Sequence, residues 1–292
     1  MVLIALSSRA VDPVSRPIRQ NARRAAAGWA RRTTREDTVT DPRVRLGFLY
    51  PDHSAEDDYP RIAALLSPPV EAVVVHTSIG EDAHRVDALL DTGAAWRLRE
   101  GAEELRRVGV ASAMWACTSG SFVFGLEGAR EQARAVADVL GVPVSSTSLA
   151  FAAACAALGL RRVAIAATYP DDVAALFQQL LADAGVETVQ REALGIITGV
   201  EVGEVGSDAA IAHAVRSDHP DAQAILMPDT ALHTVACLEE LEAAVGKTVL
   251  TANQVTMWEA LRLAGVLRPQ SGLGTLFRAV APSAEERGAA SR

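Results

Sequence analysis

Short apolar runs alternate along this chain with longer stretches of helical periodicity. Apolar runs bounded by turn residues are typical of buried strands, and Ala-rich or amphipathic stretches closed by Gly are typical of helices. The pattern predicts strands at Val44–Tyr50, Val70–Val75, Val110–Cys117, Val142–Ser145, Arg162–Ala167, Val186–Glu192, Ala222–Met227 and Thr248–Thr251. It predicts helices at Asp87–Val108, Leu126–Leu140, Thr147–Leu158, Asp171–Ala184, Asp208–Arg216, Leu238–Val245 and Val255–Leu263. This alternation predicts an α/β fold with mostly parallel sheets and right-handed crossovers.

The same arrangement occurs twice. The apolar run that ends at Cys117 is followed by a helix-like stretch and then by Gly141–Ser148; the run that precedes Asp229 has the equivalent partner Gly246–Asn253. A thiol and a carboxyl group therefore occupy equivalent strand ends. Because ligands of such sheets bind outside the carboxyl ends of the strands, two related halves can close one cleft between two acid/base groups.

The repeat and the composition divide the chain into four parts. Residues 43–155 are predicted to form a first α/β half and residues 156–278 a second, and the C-terminal helix of each half can pack on the other. Residues 1–42 are interpreted as a disordered Arg-rich extension, either a targeting segment or an over-long start, and residues 279–292 as a disordered tail. The formal charge of the chain is −8 despite this extension. An acidic body argues against non-specific nucleic-acid binding.

Cysteine usage indicates a reducing compartment. The three Cys, at 117, 155 and 237, have no metal-ligand spacing, and an odd number does not suggest a disulfide framework. A cytoplasmic protein is the simplest interpretation, and no apolar run reaches the roughly 18 residues of a membrane span. Cys155 and Cys237 lie in Ala/Leu-rich helical patterns and are interpreted as core residues.

Cys117 is the first candidate catalytic residue. The hydroxyls of Thr118 and Ser119 follow it, and a helix that begins just after them would add N–H groups suited to a carboxylate. The same helix end is expected to lower the pKa of Cys117 toward the thiolate. The alternative is a buried structural Cys beside a helix cap.

Asp229 is the second candidate, as a general acid/base facing Cys117 whose pKa a dry cleft can tune. The alternative is that Asp229 begins a helix as its N-cap, which is worth about 1 kcal/mol. Thr230 stands at the same strand end. Tyr169, at the end of another predicted strand, could donate a hydrogen bond to a substrate carboxylate or pack in a loop.

Three histidines lie near predicted strand ends. His76 and His233 are interpreted as structural, and His53 belongs to the acidic run Pro51–Asp58, which is typical of a solvated surface rather than a metal site. No phosphate-binding Gly-rich loop, nucleotide fingerprint or metal motif occurs in the sequence. Neither a cofactor nor a metal is therefore expected.

Several segments together carry a resemblance to a known family. They are Leu46–Pro51, Cys117–Gly125, Ala167–Tyr169, Leu194–Val200, Val255–Gly265 and Gly272–Phe277. Through them the chain resembles the aspartate/glutamate racemase superfamily, in the branch of arylmalonate decarboxylase and maleate cis–trans isomerase. The resemblance implies a cofactor-independent enzyme of two pseudo-symmetric Rossmann-like (flavodoxin-like) domains. It also implies a small carboxylate substrate in the cleft between them; homo-oligomers are common among such enzymes.

The resemblance also assigns roles by position. Cys117 matches the nucleophilic Cys of the isomerase, at a position where the decarboxylase has Gly. Thr118, Ser119 and Tyr169 match the groups that bind the retained carboxylate in the decarboxylase, and Pro51 matches a pocket-lining position. Asp229 departs from the family, because both branches have Cys there, and in the decarboxylase this Cys protonates the intermediate.

Three hypotheses follow. The first is an isomerase or racemase acting on a small mono- or dicarboxylate, with Cys117 as thiolate nucleophile or base and Asp229 as the opposing acid/base. The second is a decarboxylase of substituted malonates in which Cys117 donates the proton. The third is a non-catalytic carboxylate-binding protein, since loss of one family Cys is what degeneration would produce.

Overall fold

The computed structural model describes residues 43–280. The predicted extension at 1–42 and residues 281–292 of the predicted tail lie outside the described residues. Within the described part, strands and helices alternate and form two parallel four-stranded sheets. The predicted α/β fold with parallel sheets is confirmed.

The two sheets have the same strand order. The first follows the order β2-β1-β3-β4 and the second the order β6-β5-β7-β8. The strands are β1 Arg45–Pro51, β2 Glu71–Thr77, β3 Ser112–Trp115, β4 Val144–Ser146, β5 Arg162–Ala167, β6 Glu187–Ala193, β7 Ala224–Met227 and β8 Thr248–Thr251. Because all neighbours are parallel, the carboxyl ends of each sheet share one edge.

Helices follow the strands throughout. They are α1 Asp58–Leu65, α2 Val86–Thr92, α3 Ala95–Val108, α4 Ser119–Phe122, α5 Gly125–Leu140, α6 Thr147–Leu158, α7 Asp171–Asp183, α8 Gly199–Gly203, α9 Ser207–Arg216, α10 Leu238–Val245, α11 Ala252–Leu263 and α12 Gly274–Arg278. The sequence pattern does not predict α1, α4, α8 or α12. Helix α1 starts inside the acidic run interpreted as a loop, with Pro60 in the first turn, where a missing N–H costs no helical hydrogen bond.

The single helix predicted at Asp87–Val108 is wrong, because the chain breaks at Gly93 into α2 and α3. A Cβ at Gly93 would lie 2.1 Å from the carbonyl oxygen of Gly120. Gln132 ties the two glycines together, since its amide donates to the carbonyl oxygens of Gly93 at 2.8 Å and Gly120 at 3.0 Å. The break therefore brings the start of α3 against the segment that follows Cys117.

Helix α11, from the second half of the chain, packs on the first sheet. It contacts β1, β3 and β4, and the Ser112 hydroxyl of β3 donates to the Ala260 carbonyl oxygen at 2.7 Å. Thr256 of α11 and Thr147 of α6 are also hydrogen bonded at 2.7 Å. One apolar core accordingly includes residues of both halves, among them Phe48, Phe151, Phe177 and Phe277. Within residues 43–280, no helix combines the length and hydropathy needed to cross a membrane.

Candidate active site

A cavity of about 60 Å³ lies at the carboxyl ends of strands from both sheets. Its walls come from the segments that follow β1, β2 and β3, from the segment that follows β7, and from the start of α8. The predicted site residues that line it are Pro51, Cys117, Ser119, Asp229 and Thr230. The two equivalent strand ends found in the sequence, at Cys117 and Asp229, thus lie at one shared cavity.

Cys117 lies between β3 and α4 and is 4% exposed. Its sulfur accepts a hydrogen bond from the Gly120 N–H at 3.3 Å and lies 3.8 Å from the Ser119 hydroxyl. Burial raises the pKa of Cys117 to about 11, against the opposing effects of these two donors, and the nearby Asp229 carboxyl group raises it further. The expected lowering of this pKa is wrong, since α4 is only four residues long and desolvation outweighs its N–H groups.

Asp229 is 4% exposed and has both carboxyl oxygens engaged. One accepts the Ala231 N–H at 2.9 Å, and the other accepts a short hydrogen bond from the Thr168 hydroxyl. The N-cap interpretation is wrong, because the next helical residues are the 3₁₀ turn Val235–Cys237. Asp229 instead closes a local turn and accepts a hydrogen bond from Thr168. Thr168 follows β5, and the sequence did not reveal it as a partner.

Thr118 and Tyr169 are buried and, unlike the other predicted site residues, do not line the cavity. The Thr118 hydroxyl has no partner within hydrogen-bond geometry among residues 43–280, but it lies close enough to the Tyr169 phenol to oppose the rise of that group's pKa. The Tyr169 hydroxyl donates to the Pro228 carbonyl oxygen at 2.5 Å. Burial raises the pKa of Tyr169 well above its usual value, which keeps the phenol protonated. Its one proton is therefore committed to the backbone beside Asp229.

Tyr50 links the two halves at the cavity. Its hydroxyl donates to the Thr230 carbonyl oxygen at 3.0 Å and accepts the Ala55 N–H at 3.0 Å. Asn253 of α11 donates to the same Thr230 oxygen at 3.2 Å. The backbone next to Asp229 is thus held from the first sheet and from α11, a role that an apolar strand pattern does not reveal for Tyr50.

Of the histidines singled out in the sequence, only His53 lines the cavity. His53 and His76 share a contact of 3.0 Å between ring nitrogens, and His53 contacts Glu56 at 3.0 Å. His233 contacts Asp57 at 2.9 Å. His53, Glu56 and His76 could offer three ligand atoms to a metal ion, but hydrogen bonds among these side chains account for their arrangement. His84, which the sequence analysis did not select, also lines the cavity.

Comparison with known proteins identifies relatives with this architecture. The arylmalonate decarboxylase family model matches residues 92–277. Arylmalonate decarboxylase of Bordetella bronchiseptica is 32% identical over 180 residues, which cover 60% of this chain and 75% of that protein.

Solved structures extend the likeness to both branches of the expected family. The maleate isomerase Iso of Pseudomonas putida S16 has a TM-score of 0.75 and 20% identity, over 81% of this chain and 99% of that one. A liganded arylmalonate decarboxylase variant, with one Gly changed to Cys and one Cys to Ser, has a TM-score of 0.72 and 26% identity, over 80% and 98% of the two chains.

The comparisons confirm the expected resemblance and the two-sheet architecture, and they agree with an enzyme of the isomerase or carboxy-lyase type. The family model spans most of the described residues, and its matched segment contains Cys117, Thr168 and Asp229. On this evidence the chain belongs to the arylmalonate decarboxylase family.

Proposed function

We propose that this protein is a cofactor-independent isomerase or racemase of small mono- or dicarboxylates, in which Cys117 and Asp229 exchange protons with one bound substrate. The observation that carries the proposal is that these two side chains, from equivalent strand ends of the two halves, line the same cavity. Two proton-transferring groups on opposite sides of one carbon suffice to invert or isomerise it.

The buried thiol supports a defined direction of proton flow. A pKa of about 11 keeps Cys117 protonated at neutral pH in the free protein, so its first role is that of an acid. Asp229 removes a proton from the substrate carbon next to the carboxylate, and the electron pair moves into that carboxylate to form an enediolate. Cys117 then gives its proton to the opposite face. The resulting thiolate and carboxylic acid return to their starting states by exchange with solvent.

Hydroxyl donors support stabilisation of the enediolate. Ser119 lines the cavity, and the hydroxyl of the adjacent residue Thr118 is buried without a partner within hydrogen-bond geometry among residues 43–280. Donors that are already in place cost no reorganisation when charge develops on the substrate oxygen, and a donor of this kind is typically worth about 3 kcal/mol in the transition state. A nucleophilic Cys117 would first have to lose its proton on substrate binding.

The size and lining of the cavity favour a small polar substrate. Its volume of about 60 Å³ is far below the ~300–1,000 Å³ of pockets that hold drug-sized ligands. The segment after β2 contributes Glu81, Asp82 and His84 to its wall. Ile79 and Leu89 also line it, so the wall can meet a second polar group beside apolar ones, and the small volume is what argues against an aryl group.

A second candidate function, decarboxylation of a substituted malonate, is favoured by the protonated state of Cys117 and by the family match. The carbon–carbon bond to one carboxylate would break, carbon dioxide would leave, and the electron pair left on carbon would take the Cys117 proton. The liganded decarboxylase variant that gains a Cys for Gly and loses a Cys for Ser is a precedent for moving the thiol. By the resemblance, Cys117 of this chain stands at the position where the decarboxylase has Gly.

Turnover by wild-type protein and Cys117→Ala tests the proposal. A panel of small hydroxy, amino and unsaturated acids, with maleate and substituted malonates, is followed by NMR for isomerised product and by carbon dioxide release. We expect isomerised product, which Cys117→Ala abolishes without loss of folded structure by circular dichroism. An undiminished rate of turnover in Cys117→Ala would rule out this mechanism. Carbon dioxide as the main product would establish the second candidate.

A cytoplasmic setting is part of the proposal. Cys117, Cys155 and Cys237 are all free and buried, which fits a reducing compartment. Assembly into a homo-oligomer stays a prediction from the resemblance.

A further inference from the structure

His84 holds a fixed orientation at the junction of the two halves. It lies between β2 and α2, and its backbone N–H donates to the Ile197 carbonyl oxygen at 2.6 Å. Its ring Nδ1 lies 3.0 Å from the Ile196 carbonyl oxygen. A carbonyl oxygen can only accept, so Nδ1 carries a hydrogen and the tautomer of the neutral ring is set.

The other ring nitrogen of His84 is unused. Nε2 makes no hydrogen bond with any residue between 43 and 280, although the residue is only 8% exposed and lines the cavity. The ring stands perpendicular to that of Tyr169, with centroids 4.8 Å apart. An imidazole held at Nδ1 and packed on an aromatic ring has little freedom to turn, so the position of Nε2 is fixed before a ligand enters the cavity.

The two acidic residues that precede His84 in the cavity wall, Glu81 and Asp82, already have partners. Glu81 is paired with Arg85 at 2.9 Å, and Asp82 accepts the N–H groups of Gly199 at 2.7 Å and Val200 at 3.1 Å. The titratable groups that share the cavity with His84, or pack on its ring, are Tyr50, Asp52, His53, Glu81, Asp82, Cys117, Tyr169 and Asp229. Because Glu81 and Asp82 are already paired, they compete little with a ligand for the His84 ring.

We propose that His84 Nε2 binds a second anionic group of the substrate, in addition to the carboxylate that the Ser119 hydroxyl meets. This inference rests on the proposed function and narrows its substrate class to dicarboxylates. Because Nδ1–H is committed to Ile196, Nε2 donates to a carboxylate only in the doubly protonated ring. Binding of a dicarboxylate therefore favours that form and is expected to draw protons from solvent, whereas binding of a matched monocarboxylate is not.

Calorimetry with two unreactive four-carbon acids tests this assignment. Succinate carries two carboxylates and butyrate one, and titration in buffers of different ionisation enthalpy gives the number of protons taken up. His84→Asn is the informative variant, because its amide can still donate to the Ile196 carbonyl oxygen but has nothing at the position of Nε2. His84→Gln is its complement, and His219→Asn, remote from the cavity lining, is the control.

For His84→Asn we expect about ten- to a hundredfold weaker succinate binding, the usual range for a lost hydrogen bond to a charged group. Butyrate affinity should stay within about twofold, and the proton taken up with succinate by the wild type should be lost. His84→Gln should recover part of the succinate affinity without proton uptake. His219→Asn should match the wild type, and all variants should remain folded by circular dichroism.

Several results would overturn the assignment: no succinate binding by the wild type, unchanged succinate affinity or proton uptake in His84→Asn, or an equal loss of butyrate and succinate. The outcome is separable from the proton-transfer mechanism. Cys117→Ala should lose turnover yet bind succinate with proton uptake, so either conclusion can fail while the other stands.

Discussion

Cys117 and Asp229 each stand two residues beyond the third strand of their own half, Cys117 after β3 and Asp229 after β7, and both line one cavity. The matching strand orders of the two sheets make these positions equivalent. A thiol and a carboxyl group thus fill the two places that a symmetric pair would occupy. The pair is therefore asymmetric, and the proposed mechanism gives the two groups different first roles.

Thr168 is predicted to position Asp229. Thr168→Val removes the hydroxyl that donates to the Asp229 carboxyl group while nearly preserving the shape of the side chain. Since hydrogen bonds to charged groups are worth about 1.5–3 kcal/mol, we expect kcat to fall about ten- to a hundredfold with KM nearly unchanged. Steady-state kinetics on the substrate found in the panel measures this. Thr168→Ser is the control and should keep most of the activity; equal losses in Val and Ser would indicate a packing role instead.

The raised pKa of Cys117 predicts how its alkylation by iodoacetamide depends on pH. Only the thiolate reacts, so the rate should climb through neutral pH and level off only near the pKa of about 11. Asp229→Asn removes a nearby negative charge, which lowers the thiol pKa and speeds the reaction at pH 8. Mass spectrometry of the labelled peptides separates Cys117 from Cys155, whose pKa burial raises to about 12.

Cys155 serves as the internal control, because Asp229 does not contribute to its raised pKa. Its labelling should be unaffected by Asp229→Asn. A plateau in the Cys117 rate already at neutral pH would contradict the account of a protonated resting thiol.

Gly93 is predicted to be irreplaceable because of space rather than backbone conformation. In Gly93→Ala the new methyl group would lie 2.1 Å from the Gly120 oxygen, so the segment that holds Cys117 must move. Overpacking typically costs about 1–3 kcal/mol, and urea unfolding should show a loss in this range together with reduced turnover. Gly206→Ala is the control: nothing lies within 4 Å of its Cβ position, and we expect a change within about 1 kcal/mol. Equal stability of the two variants would contradict the close-packing argument.

The sequence led to Cys117 and Asp229 because both follow apolar runs, and a strand's carboxyl end can be located from one segment alone. The partners of these residues could not be found in this way. Thr168 meets Asp229 from 61 positions away, and the His84 ring meets Ile196 from 112 positions away. The first contact exists only once β5 and β7 lie side by side in one sheet, and the second only once the two halves face each other.

The wrong prediction of one helix at Asp87–Val108 and the wrong direction of the Cys117 pKa shift also have causes distant in the sequence. The break at Gly93 reflects the approach of Gly120, which no helical pattern contains. The Cys117 pKa is raised because burial of the thiol in the folded protein outweighs the hydrogen bonds from nearby N–H groups, which are the only part of this environment that the local sequence indicates.

The proposed mechanism requires that Cys117 and Asp229 exchange protons with opposite faces of one substrate carbon. Its most direct test is NMR in deuterium oxide on single enantiomers of the accepted acid, with wild type, Cys117→Ala and Asp229→Asn. We predict that the wild type gives inverted, deuterated product. Each variant should lose inversion, and any slow exchange that survives should affect only the enantiomer whose proton faces the remaining group. Inversion by Cys117→Ala at the wild-type rate would contradict the account.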